Sequence, residues 1–426
     1  MEAPTGLDAL YRRSRPALIG AVTRLLGPSH LDQVEAVVQE AFVSALRTWR
    51  AGAPANPEGW LVQVAKNRAL DWLRTGGRPE RAGAPAGPAS ADGEEDALAA
   101  LPSDAADPEA TARLQGELAD DQLAMMFVAC HESLSTSAQV MLALRTLCGL
   151  EAAEIAALLL SQEAAVEKAL VRARARLREV GLSFDVPRGA ELQARLPPVL
   201  TVLYLLFSEG YAAHGGDRAV REDLCSEALR LCRVLLDHPA TRQPRVHALA
   251  ALMLLQASRL RARADESGRL LTLAEQDRSR WDGAMVRQGL EQLARSAEGD
   301  ELTEFHLEAG IAACHALAPS FDTTDWPRIV ESYDQLLRLD PSPVIRLNRA
   351  IALSYARGPA AGLQALREIE SEPELQRLSL LEAARADLHS RLGEAHHARD
   401  AYAAALERAG SEQEKQLLRR RLAELA

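Results

Sequence analysis

The sequence predicts an all-α protein made of two small helical domains and a larger helical-repeat domain. Three observations carry that reading. Ala and Leu dominate an apolar content of 47% while aromatics reach only 4%, a balance that favours helices over pleated sheets. Apolar residues recur at helical spacing, as in Val166, Leu170, Ala173 and Leu177, which mark one buried face. A chain of 426 residues exceeds one ordinary domain and suggests two to four.

Residues 1–75 form the first domain. Leu7, Leu10, Tyr11, Leu18, Ile19 and Val22 make an amphipathic opening helix, and Gly27-Pro28 breaks it. Leu31 to Trp49 make the next helix, a Gly/Pro/Asn loop runs from Ala51 to Gly59, and a new helix begins near Trp60. Residues 76–111 are rich in Gly, Ala, Pro and acids and almost free of large apolar side chains. Such a segment cannot bury enough surface to offset its ordering entropy, so it reads as a flexible linker. A tether is its simplest role; a sharper one is DNA mimicry, with the acids shielding basic helices.

Residues 112–186 form the second domain. Its centre, LRTLCGLEAAEIAALLLSQEAAVEKALVRARARLRE (Leu144 to Glu179), reads as short helices across a tight connection followed by an arginine ladder. Small residues around Glu154, Ile155 and Ala156 let one helix lie close across another. Arg172, Arg174, Arg176 and Arg178 project around the rest of the last helix, which suits a DNA major groove as well as a solvated surface. Residues 187–426 read as helical throughout. SYDQLLRLDP and AYAAALERAG place Tyr333 and Tyr402 69 residues apart, about twice the 34-residue tetratricopeptide period. Stacked helix pairs of this kind form extended surfaces for proteins or peptides.

The formal net charge of −11 runs against DNA binding, but its distribution matters more. Lys66, Arg68, Arg74, Arg78 and Arg81 face only Asp71 and Glu80 within 60–81, whereas 82–121 carries ten acids and the single base Arg113. The acidic excess therefore lies largely outside the basic helices, although it predicts weak, salt-sensitive DNA affinity for the isolated chain. The odd count of five cysteines at wide spacing argues against a disulfide framework, and Cys225 and Cys232 read as buried thiols on one helix face. Cys130-His131 lacks the second pair that a metal site needs, so no metal or other cofactor is expected. No signal peptide and no apolar run of about 20 residues is present, which predicts a cytoplasmic protein away from membranes.

Two motifs carry a family resemblance. LDQVEAVVQEAFVSALRTW followed by NPEGWLVQVAKNRALDWLR resembles the polymerase-docking and downstream-promoter helices of sigma factors of the extracytoplasmic-function type. The block at 144–178 resembles the domain that reads the upstream promoter element. MMFVACHESLSTSAQVMLALR, GLSFDVP, LPPVLTVLYLLFSEGYAAHGGDRAVREDLCSEALRL and DTTDWPRIVESYDQLLRLDPSPVIRLNRAIALSYARGPAAGL are similar to a subgroup with a large tetratricopeptide-like extension. The resemblance covers nearly the whole chain except the segment around 76–112. It implies RNA polymerase core and promoter DNA as partners, and a protein or peptide partner for the extension.

The resemblance also implies site residues. Glu35, Gln39 and Glu40 are candidates for polymerase contact through charge-assisted bonds, while Phe42 and Trp49 fit the core better. Asn56, in the loop, offers a donor and an acceptor to an extruded base. Lys66, Arg68 and Arg74 suit phosphates; Asn67 contacts DNA or braces the fold; Trp60 is a wedge or a core residue. In the upstream reader, Lys168, Arg172 and Arg176 are the DNA contacts, and Glu163 and Glu167 accept from cytosine or brace an arginine. The chain departs from the family pattern at Ala36 and Ala169, where an acid and a base are usual.

No GxSxG elbow, GxxxxGK[ST] loop or HExxH motif occurs, so the chain is not read as an enzyme. Two alternatives stand beside the sigma reading: a helix-turn-helix regulator that binds DNA without polymerase, and an interaction scaffold with a vestigial DNA module. The VVQEAF and WLVQVAKNRALD motifs favour the first reading over both.

Overall fold

The computed structural model describes residues 7–49, 52–75, 121–159, 161–211, 222–265 and 269–425. The expected linker at 76–111 lies outside them. Among the described residues the fold is all-α, with one isolated bridge between Ala264 and Leu270 in place of any strand. No described helix is long and apolar enough to cross a membrane. The chain divides into two compact units, 1–202 and 203–426.

The first unit opens with α1 (Leu7–Leu26), a 3-10 turn (Pro28–His30), α2 (Leu31–Thr48) and α3 (Pro57–Arg74). These three helices pack on one another through Leu18, Ile19, Val22, Val34, Val38, Leu61 and Ala65, all buried. The third helix starts at Pro57, three residues before the expected Trp60. Asn56 caps it and Pro57 takes the first turn, where its missing N–H has no intrahelical bond to lose.

A helical stretch over 121–129 then leads to α4 (Thr136–Thr146), α5 (Ala152–Leu158) and α6 (Glu163–Val180). Phe127, Met125 and Met126 in the leading stretch are fully buried. It comes close to α1 at Gly20, where an added Cβ would sit 3.1 Å from the Asp121 backbone. The sixth helix packs on α4, on α5 and along the 3-10 turn Pro28–His30, so both halves of this unit share one interface. Gly181 stops it in the left-handed region at φ 65, a conformation that costs a side-chain-bearing residue. A seventh helix, α7 (Gly189–Tyr211), continues the chain from the first unit into the second.

The second unit is a run of helices, each packed on its neighbour in sequence. They are α8 (Glu222–Asp237), α9 (Pro244–Ala257), α10 (Gly283–Ser296), α11 (Glu304–Leu317), α12 (Trp326–Leu339), α13 (Pro343–Arg357), α14 (Pro359–Arg367), α15 (Ser379–Arg391), α16 (Ala395–Arg408) and α17 (Glu412–Ala423). Separate apolar clusters form along it, one around Ile329, Val330 and Leu353, another around Leu347, Leu366 and Leu381, a third around Tyr402, Ala405 and Leu418. A succession of small cores between neighbouring pairs is the packing of a stacked array.

Candidate functional site

The helix trio α4–α5–α6 is built by local signals. Ser135 caps α4 by accepting from the Ala138 N–H, and Glu151 and Glu154 form a reciprocal capping box on α5. Ile155 and Ala156 are buried on the short helix, as their small size suggests. On α6 the stripe Val166, Leu170, Ala173 and Leu177 is buried, matching the helical period read from the sequence. Glu163, Glu167, Lys168, Arg172 and Arg176 all emerge on the exposed side. Arg172 donates to the Lys168 carbonyl at 3.3 Å, and Arg176 pairs with Glu179 at 3.1 Å. Both are exposed contacts on one helix, worth little and easily exchanged.

On the other half, Gln39 and Glu40 are exposed on α2. Glu40 pairs at 3.2 Å with Arg68 of α3, which also donates to Ser44 Oγ at 2.9 Å. A candidate polymerase contact and a candidate phosphate ligand therefore sit side by side. Asn56 accepts from the Gly59 N–H at 2.9 Å, which commits its side-chain oxygen to capping α3. Asn67 accepts from Gln63 at 2.9 Å, a bracing contact, and Arg74 pairs with Asp71 at 2.9 Å. Lys66 is half-buried. Phe42 and Trp49 are buried, and Trp60 meets Trp49 edge-on at 5.2 Å, which gives Trp60 a packing role.

Glu35 departs from expectation. Instead of facing outward beside Gln39 and Glu40, it is buried and turned toward the second half of the unit. Arg174 Nη2 donates to Glu35 Oε1 at 2.6 Å, and Arg145 Nη2 to Glu35 Oε2 at 3.3 Å. The cause is helical phase: Glu35 follows Val34 and precedes Val37 and Val38, on the side of α2 that Arg145 and Arg174 reach, whereas Glu40 lies on the solvent side. Arg174 also reaches Asp32 at 3.1 Å, and Arg178 reaches the other Asp32 oxygen at 3.0 Å. Arg145 continues to Glu151, and Arg15 of α1 approaches Glu151 at 3.7 Å.

The result is a chain of alternating charge, Arg178–Asp32–Arg174–Glu35–Arg145–Glu151–Arg15. Burial, the largest influence on Arg145, favours its neutral form, yet Glu35 and Glu151 hold its guanidinium above the ordinary value. Asp32, Arg145 and Arg15 were not singled out by motif. Asp32 shares a helix face with Glu35, three residues on, which is a local signal; Arg145 and Arg15 carry none.

Burial pushes the thiols of Cys130, Cys225 and Cys232 up to about 12. His131 bonds Ser133 at 2.9 Å. Elsewhere His389, Glu394 and His397 bring three ligand-capable atoms within 4.8 Å of one another. Within that group His389 Nδ1 and Glu394 Oε2 are joined at 2.5 Å.

The second unit holds a cavity of about 440 Å³, lined among others by Trp326, Tyr333, Asn348, Tyr355, Asp387 and Arg421. Trp326 and Tyr355 stack at 4.4 Å, and Arg391 lies over the Tyr355 ring at 4.2 Å. Arg420 and Arg421 of α17 pair with Glu275 at 3.0 and 3.3 Å, which brings the last helix to one wall of the cavity.

Residues 10–78 match the family model described as sigma-70 region 2, and residues 124–177 match sigma-70, region 4. Residues 195–297 match a family of unknown function, DUF6596. An uncharacterized protein of Rhizobium meliloti (strain 1021) is 37% identical over 426 residues, covering 99% of this chain and 96% of that protein. No solved structure matches.

Proposed function

The chain belongs to the sigma-70 family, and on that premise we propose that it is an extracytoplasmic-function-type sigma factor with a fused tetratricopeptide-like regulatory domain. It acts in the cytoplasm, recruits RNA polymerase core, recognises a promoter in two parts and assists its melting. Gln39 and Glu40 on the outer side of α2 contact the polymerase. The Asn56 loop and Lys66, Asn67, Arg68 and Arg74 of α3 engage the downstream element. Lys168, Arg172 and Arg176 of α6 read the upstream element, with Glu163 and Glu167 at the entry end of that helix.

The observation that supports this reading most is the order of two sigma-70 regions on one chain, the second presenting a basic, solvent-facing side on a helix packed against two others. The aromatic-walled cavity, with Asn348, Asp387 and Arg421 as polar anchors, supports a protein or peptide partner for the second unit. Co-purification with bacterial core polymerase, followed by run-off transcription from genomic fragments, tests the function. Specific transcripts that require the full-length protein are expected. Sequence-specific DNA binding with no association with core would instead establish a helix-turn-helix regulator that works alone.

A further inference from the structure

Outside the sigma regions, one turn of the second unit collects side chains that bind metals. His389 lies in the last turn of α15, Glu394 takes the N-cap position of α16, and His397 lies in the first turn of α16. Their ligand-capable atoms fall within 4.8 Å of one another. We propose that His389, Glu394 and His397 form a binding site for a divalent late transition-metal ion, zinc being the reference case, which clamps α15 to α16. The site does not depend on the sigma reading, and it departs from the metal-free expectation drawn from Cys130-His131.

The backbone holds the three residues in register. Leu392 and Gly393 turn the chain, with Gly393 at φ 80 in the left-handed region. The Gly393 N–H donates to the Ser390 carbonyl and the Glu394 N–H to the His389 carbonyl, each at 3.0 Å. Beyond the turn, α15 and α16 pack along each other. His389 is thereby brought against the start of α16 from the far side of the turn. Its side chain is 14% exposed, whereas those of Glu394 and His397 are 46% and 68% exposed. One ligand is anchored and two can adjust to an ion.

The donor set selects the ion. Two imidazole nitrogens and one carboxylate oxygen suit zinc, copper(II) and nickel(II), whereas magnesium and calcium prefer oxygen alone. Tetrahedral zinc, with bonds of about 2.0 Å, holds neighbouring donors about 3.3 Å apart. His397 Nδ1 stands 3.9 Å from Glu394 Oε2, and His389 Nδ1 stands 2.5 Å from the same oxygen. The first gap must close and the second must open, each by less than about 1 Å, which rotation of the exposed Glu394 side chain supplies. The ion takes the place of the proton in the His389–Glu394 hydrogen bond. That proton leaves Nδ1, and both atoms then offer a lone pair to the metal. Three protein ligands leave the fourth position to water.

Occupancy has a structural consequence. Asp387 and Leu388, just before His389 on α15, and Tyr402 of α16 line the cavity of about 440 Å³. An ion that joins the two helices at their turn therefore stiffens two walls of that cavity. Binding to the folded form alone also raises stability by mass action. With zinc about a hundredfold above its Kd, the thermal unfolding temperature of the second unit should rise by about 5 °C.

The test titrates untagged, chelator-stripped full-length protein with Zn²⁺ by calorimetry. A single saturable site per chain is expected, for which Mg²⁺ does not compete. His397→Ala, at an exposed position, should keep the fold and weaken zinc binding at least about tenfold, since even the groups that orient metal ligands are worth that much. Glu394→Gln keeps the side chain's size and its hydrogen bond to His389 but removes the charge, and should weaken binding similarly. In both variants the thermal shift should vanish. Wild-type affinity in both overturns the site, as does a wild type without saturable binding. Loss of the ion when the half-exposed Cys148 and Cys314 are replaced by Ser, with His397→Ala unaffected, places it on thiols and overturns the site too.

Discussion

The two faces of α6 carry the same residue types and do different work. Lys168, Arg172 and Arg176 are exposed to solvent, whereas Arg174 and Arg178, on adjacent turns, are spent on Asp32 and Glu35 of α2. The helix α2 shows the same division, with Glu40 outward and Glu35 inward. What separates the roles is helical phase relative to the apolar stripe and not residue identity. A ladder of arginines is thus not a count of DNA contacts: one part faces solvent and the other is paired with acids of the first sigma region.

The largest effect should come from the outer face of α2. Replacing Glu40 by Lys and Gln39 by Ala is expected to abolish detectable core binding with helix content unchanged; unaltered co-elution with core would put the docking surface elsewhere. Smaller losses should follow on the outer face of α6. Lys168→Ala and Arg172→Ala should each cost roughly 1–3 kcal/mol of upstream-element discrimination if they touch bases, or lower the salt slope of DNA binding by about one if they touch phosphates. Arg174→Ala should do neither. An Arg174→Ala loss equal to that of Arg172→Ala would erase the distinction between the two faces.

The smallest effect lies outside both faces and sets a control. His315 is lowered from 6.5 to about 3, first by burial and then by Arg259 and Arg278. The folded second unit therefore holds a neutral imidazole, while the unfolded chain takes up a proton below 6.5. The contribution is complete above 6.5 and is lost as pH falls toward 3. Thermal unfolding of the second unit at about pH 5 should occur at lower temperature than at about pH 7.5, and His315→Phe should flatten that difference. An unchanged pH slope in the variant would assign acid sensitivity to another group.

Much of the fold was legible because helix signals are local. The stripe from Val166 to Leu177 and the break at Gly27-Pro28 depend on neighbours within a turn or two. Boundaries moved where a cap outranked the apolar pattern, as at Asn56-Pro57. The candidate site was legible only in part, for a related reason. Glu35 and Glu40 are chemically equivalent in a motif, and what distinguishes them is Arg145 and Arg174, on two helices more than a hundred residues later in the chain. Ion pairs across such separations leave no periodicity to read. Asn56 shows the opposite case: its capping role was written in the following Pro57, although its place in the loop pointed first to a base contact.

The relation between the two sigma regions can be measured directly. Spin labels at Val43→Cys on α2 and Val171→Cys on α6 occupy exposed positions, 43% and 59% accessible, in a background where the half-exposed Cys148 and Cys314 are replaced by Ser. The account predicts one narrow distance in the free full-length protein and a longer one when core polymerase is added. A broad distribution in the free protein, or the same narrow distance with and without core, would contradict it.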